Sequence, residues 1–238
     1  MREQVREQLP PTVVALMDEI EAFACVEIQF QSYDFSTRAT QRPGRAAATL
    51  VTHEGATIFL PAVTDVDAHG VTHELLHIHR YWVESVARLD LSRNAEANAA
   101  ACANFENTLE HLFIVPREAD YGFDRSGWND AARLSWERRP WPESKTALDR
   151  RNRALLGVIE TKISDDQAVH DLAAECLAKE GLTEVAARFS SRLDELSESK
   201  ERSAGCLARA MQAPSGLFRL VYFDVRRRQF HFAPLPSY

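Results

Sequence analysis

This sequence predicts a mostly helical α+β domain with a small antiparallel sheet, on three observations. Residues 117–216 carry helical periodicity for most of their length. Short alternating runs that read as strands cluster near residues 25–63 and again near 217–235. A long amphipathic helical segment follows the first cluster. No internal repeat, low-complexity stretch or linker-like composition interrupts the chain, so one domain over 1–238 is expected.

Residues 1–67 are read as a helix plus a small sheet. In PTVVALMDEIEAF the side chains Val13, Val14, Met17, Ile20 and Phe23 share one helical face, and Pro10-Pro11 suits a helix start. CVEIQFQ then alternates Val26, Ile28 and Phe30 against Glu27, Gln29 and Gln31, the pattern of a half-buried strand. After a turn-rich passage with Pro43-Gly44, AAATLVTH and ATIFLPAV are joined across Glu54-Gly55 and read as a hairpin. Residues 68–116 form a helix pair, 117–215 a helical part with breaks at Gly122, Gly127, Pro140-Trp141-Pro142 and Gly181, and 216–238 two closing strands around Arg226–Arg228. Gly181, at the end of LAAECLAKEG, suits a helix C-cap.

Composition excludes several function classes. A formal net charge of −7 disfavours a general nucleic-acid binder, which needs a basic footprint to neutralise phosphates, and the Arg226–Arg228 cluster reads as a solvated turn. No apolar run approaches the roughly 20 residues needed to cross a bilayer, and MREQVREQLPP has no apolar signal core. Cys25, Cys102, Cys176 and Cys206 are widely spaced without a CxxC pair, which points to reduced thiols in a cytoplasmic protein. Any metal must then be held by histidine and carboxylate.

The segment VTHELLHIHR, residues 71–80, holds His73, Glu74 and His77 as H-E-x-x-H. On a helical wheel Leu75, Ile78, Trp82, Val86 and Leu89 all fall within about 60° of Val71 and form with it an apolar stripe. His73 and His77 lie on the opposite face, at about 200° and 240° from Val71. Spacing of i, i+4 sets two imidazoles one turn apart, within reach of one Zn²⁺. Glu74, offset from that face, suits a base that takes a proton from a metal-activated water. His79 sits near 80° and reads as a structural or surface histidine.

A catalytic zinc ordinarily takes three protein ligands. Glu96, Glu106 and Glu110 follow on one expected helix, NAEANAAACANFENTLEHLFIVP, which Pro116 ends. If the two helices form an antiparallel hairpin, the midpoint of the histidine pair is residue 75. Pairing with Glu96 then centres the turn near residues 85–86, inside breaker-free YWVESVARL. Pairing with Glu106 or Glu110 centres it at Asp90-Leu91 or Ser92-Arg93, where DLSRN supplies turn and cap residues. The order of preference is Glu110, Glu106, Glu96. His111 is a candidate to assist the chemistry or to act as a further ligand, and Tyr121 is a candidate oxyanion donor.

With these residues the sequence resembles the zincin metallopeptidases, specifically the gluzincin pattern of H-E-x-x-H followed by a helix-borne glutamate. EANAAACANF is also similar to the E-A-N-x-F-A element of ImmA/IrrE-type bacterial metallopeptidases, in which the glutamate ligates the metal. That resemblance points to Glu96, although Ala100 stands at the phenylalanine position. It covers about 50 residues and implies a zincin-like domain whose small sheet packs on the H-E-x-x-H helix.

The expected function is therefore a zinc-dependent metallopeptidase-like hydrolase of peptide or protein substrates. His73, His77 and Glu110 would hold the metal, and Glu74 with His111 would serve catalysis. The rival expectation is a noncatalytic metal-binding or protein-interaction module on the same scaffold.

Overall fold

The computed structural model describes residues 1–34, 47–92, 98–137, 147–195 and 199–236. The fold is α+β and mostly helical, as expected. Nine helices are described: α1 (Arg2–Arg6), α2 (Pro11–Ala24), α3 (Ala68–Trp82), α4 (Ala99–Ile114), α5 (Ser126–Glu137), α6 (Ala147–Ile163), α7 (Gln167–Lys179), α8 (Thr183–Glu195) and α9 (Lys200–Ala210). Six strands accompany them: β1 (Gln29–Ser32), β2 (Ala48–Val51), β3 (Ala56–Leu60), β4 (Arg88–Leu91), β5 (Phe218–Asp224) and β6 (Gln229–Pro234). A 3-10 helix occupies Val115–Tyr121. Among the described residues no helix is long and apolar enough to cross a membrane.

The chain forms two compact units. The first comprises Met1–Val86, Ile114–Asp124 and Tyr222–His231, and the second Ala87–Phe113, Arg125–Val221 and Phe232–Tyr238. Each unit is assembled from segments distant in sequence, so the division leaves no single linker for a sequence to display.

In the first unit, α2 starts at Pro11 and buries Val13, Met17 and Ile20, three of the five residues on the expected face. The expected hairpin is present. Thr52 donates its amide to the Gly55 carbonyl at 3.0 Å, while its Oγ1 accepts the Glu54 and Gly55 amides. On β3 the side chains of Ala56, Ile58 and Leu60 alternate inward. The sheet order is β1-β3-β2. β2 runs antiparallel to β3, but β1 runs parallel to it, with Phe30 opposite Ile58. The small sheet thus contains the expected antiparallel pair, the hairpin, with β1 added in parallel on the other edge of β3.

α3 lies against α2 and against the β2–β3 hairpin. Its buried stripe is the expected one: Val71, Leu75, Ile78 and Trp82 are each no more than 1% exposed. Each contributes roughly 1.5–3 kcal/mol by leaving water. The Trp82 indole also donates to the Thr52 carbonyl at 3.0 Å, fixing the helix end over the hairpin turn.

The helix stops sooner than periodicity suggests. Ser85 takes a left-handed conformation with φ 55°, and residues 88–91 form β4. In the second unit β4 pairs with β5, Arg88 opposite Val221 and Leu91 opposite Phe218. The DLSRN turn expected from an antiparallel helix hairpin is thus partly a strand, because ladder pairing with a segment some 130 residues away overrides local helical preference. That second unit otherwise packs α6 against α7 and α8, α5 against α7, and α8 against α9. α7 ends at Lys179 with Glu180 as its C-cap residue, and the expected terminating glycine, Gly181, follows directly with φ 66°.

Beyond the end of α3, Glu84 ties the first unit together. Its carboxylate meets His79 Nδ1 at 2.9 Å, Arg80 Nη1 at 3.4 Å and the Arg117 guanidinium on the 3-10 helix. Hydrogen bonding from His79 and then from Arg117 outweighs partial burial and holds the Glu84 carboxyl at about 2. A depressed carboxyl contributes stability that is present above its unfolded value and lost as pH falls through its folded value. Glu84→Gln should therefore melt at lower temperature than wild type at neutral pH, with a gap that narrows once pH falls below about 4.5 and closes toward 2. Thermal melts from pH 7 to pH 3 check this, and a pH-independent gap would count against it.

Candidate metal centre

Asp67 caps α3, its side chain accepting the His69 amide at 3.1 Å. Gly70 lets the first turn close on that cap: a Cβ there would lie 2.8 Å from Asp67 Oδ2 and 3.4 Å from Ala47 Cβ. From this start, His69, His73 and His77 recur at four-residue intervals along one face. The His73 and His77 rings meet edge to face with centroids 5.0 Å apart. His77 is 5% exposed and its ring lies roughly parallel to that of Tyr81, which in turn meets Phe223 edge-on. Glu74, the neighbour of His73, is buried.

The 3-10 helix brings a residue that sequence reasoning did not single out. Glu118 is 2% exposed and sits between two histidines of α3. Its Oε1 lies 2.6 Å from His73 Nδ1 and its Oε2 lies 2.7 Å from His69 Nε2. Burial opposes ionisation of Glu118, but hydrogen bonds from His69 and His73 prevail and hold its carboxyl below the usual range. In the same pairing the Glu118 hydrogen bond holds His69 above the ordinary imidazole range against the opposing effect of burial. Gly122, at φ 88°, then turns the chain so that Phe123 stacks on His69, with centroids 4.8 Å apart and planes within 3°.

Of the other candidates in the first unit, His79 is structural as expected, bonded to Glu84 and reaching Glu19 at 3.4 Å. Tyr121 closes the 3-10 helix. Partial burial raises its phenol, and its charged neighbours are Arg117, Glu19, Asp120 and Glu84.

Glu106, Glu110 and His111 belong to the second unit. Glu106 and Glu110, one turn apart on α4, converge on the ammonium of Lys200, the first residue of α9. Glu110 Oε1 lies 2.6 Å from Lys200 Nζ, and Glu106 Oε2 accepts the Leu89 amide at 2.8 Å. Both carboxylates and the ammonium are buried. The residue preferred as third ligand therefore has an ammonium as a close partner, a pairing that no helical wheel of α4 could display. His111 is also buried, its ring edge-on to Trp128 with centroids 4.6 Å apart. Glu96 lies outside the described residues.

Comparison with known protein families, with characterised proteins and with solved structures finds no match for this chain.

Removing the ammonium would leave two buried carboxylates facing each other, the costly case for a broken buried pair. Lys200→Met should lower unfolding stability by about 3–5 kcal/mol, and adding Glu110→Gln should recover part of that loss. Denaturant unfolding of both variants checks this; a loss below about 1 kcal/mol for Lys200→Met would rule the pairing out as a structural element.

Proposed function

We propose that the chain is a zinc-dependent hydrolase of the peptidase type, with α3 as its active helix. The observation that carries the reading is the placement of His73 and His77, two imidazoles one turn apart on a packed helix with ring centroids 5.0 Å apart. The donor chemistry fits a borderline divalent ion, since neutral imidazole is a preferred zinc ligand and the cysteines are too dispersed to compete. The rigid backing of α3, whose apolar face is buried against α2 and the hairpin, supports such a site by holding both rings at fixed separation.

A zinc ion held by His73 and His77, with a further donor, would supply a Lewis acid that lowers the pKa of a water to roughly 7. Glu74 takes the proton from the attacking water and returns it to the leaving amine, a role that suits a buried carboxylate next to a ligand position. Peptide bonds as substrate follow from the H-E-x-x-H resemblance.

Metal analysis of protein purified without chelator or histidine tag tests the reading. Wild type should carry about one zinc per chain, and His73→Ala or His77→Ala should carry far less. Glu74→Gln should keep the metal and lose at least 100-fold in hydrolysis of a peptide library, the lower end expected for loss of a general base. The same metal measurement on Glu96→Ala, Glu106→Gln, Glu110→Gln and His111→Ala identifies the further donor. Zinc-free wild type after zinc is supplied would end the proposal, and stoichiometric zinc without hydrolysis would replace the enzyme by a metal-binding module.

A further inference from the structure

We infer that Glu118 is the positioning residue of the histidine pair, fixing the tautomer and rotation of His73 so that Nε2 is the nitrogen offered to a metal. The inference rests on the metal reading above and adds a residue to it.

Hydrogen-bond chemistry carries the argument. An ionised carboxylate only accepts, so a 2.6 Å contact between Glu118 Oε1 and His73 Nδ1 requires the hydrogen to be on Nδ1. In a neutral ring the basic lone pair then belongs to Nε2. A carboxylate behind a ligating histidine also raises the basicity of that ring, and losing such a partner typically weakens metal binding by about 10–100-fold.

Three restraints make Glu118 a precise support. Its second oxygen is taken by His69 Nε2 at 2.7 Å, so the carboxylate plane cannot rotate freely. His69 is itself held against Phe123, with ring planes within 3°. One residue before Glu118, Arg117 bonds Glu84 just past the end of α3, so the 3-10 helix is tied to the helix that it serves. The result is one carboxylate gripping two successive turns of α3 from outside the helix.

Two measurements on the full-length protein decide the matter. Zinc affinity is read by competition with a chromophoric chelator for wild type, Glu118→Gln and His77→Ala, with circular dichroism to show that each is folded. Ring-nitrogen correlation spectra of metal-free wild type, assigned against His73→Gln, report the tautomer of His73 without reference to metal or activity. Glu118→Gln should weaken zinc about 10–100-fold, and His73 should carry its hydrogen on Nδ1 in wild type. Unchanged zinc affinity in folded Glu118→Gln would overturn the inference, as would an Nε2–H tautomer in wild type. Zinc loss as complete as in His77→Ala would make Glu118 a ligand and overturn the positioning role. If wild type takes up no zinc, the metal reading fails by itself, and the tautomer alone decides whether Glu118 orients His73.

Discussion

The contact on which the candidate site depends is the bidentate grip of Glu118 on His69 and His73. Burying a carboxylate costs several kcal/mol unless charge-assisted hydrogen bonds replace its water, and here two imidazoles supply them. The energetic demand runs in both directions. Glu118 stays ionised because the histidines are present, and His73 holds one orientation because Glu118 is ionised. Shifting the 3-10 helix by part of a turn would part the Glu118 carboxylate from both imidazoles, so this contact, together with the Arg117–Glu84 pair, favours the observed position of Val115–Tyr121.

Everything around the contact serves to make it rigid. The apolar stripe of α3 packs on α2 and the β2–β3 hairpin, and the Trp82 indole bonds the hairpin turn. Asp67 and Gly70 set the start of the helix, while Glu84 gathers His79, Arg80 and Arg117 just past its end. The polar face is therefore held by ionic contacts at its margins and by hydrophobic packing beneath, an arrangement that preserves the 5.0 Å separation of the His73 and His77 rings.

The second unit solves a similar electrostatic problem differently. Glu106 and Glu110 share one ammonium, and Glu106 also accepts a backbone amide at Leu89. Such a buried ionic group adds little net stability over an apolar one of equal shape, but it is intolerant of losing a member. Its members join α4 to the first residue of α9 and to the backbone of β4 at Leu89.

Local pattern was enough to read α2, the hairpin at Glu54-Gly55, the amphipathic faces of α3, the terminating glycine Gly181 and the two closing strands. These depend on periodicity and turn chemistry within about ten residues, which is the range over which sequence carries direct physical information. The sequence by itself thus determined that His73 and His77 share a helix face and that Glu74 stands beside them. Tertiary structure decided the rest. Strand pairing with β5 gave residues 88–91 to a ladder, which removed the hairpin geometry used to rank the glutamates. Lys200 reaches Glu106 across 94 positions, and Glu118 reaches His73 across 45. Over such separations a carboxylate looks like any other exposed glutamate in a helix, because the free energy that singles it out comes from desolvation and partners that exist only once the chain has folded.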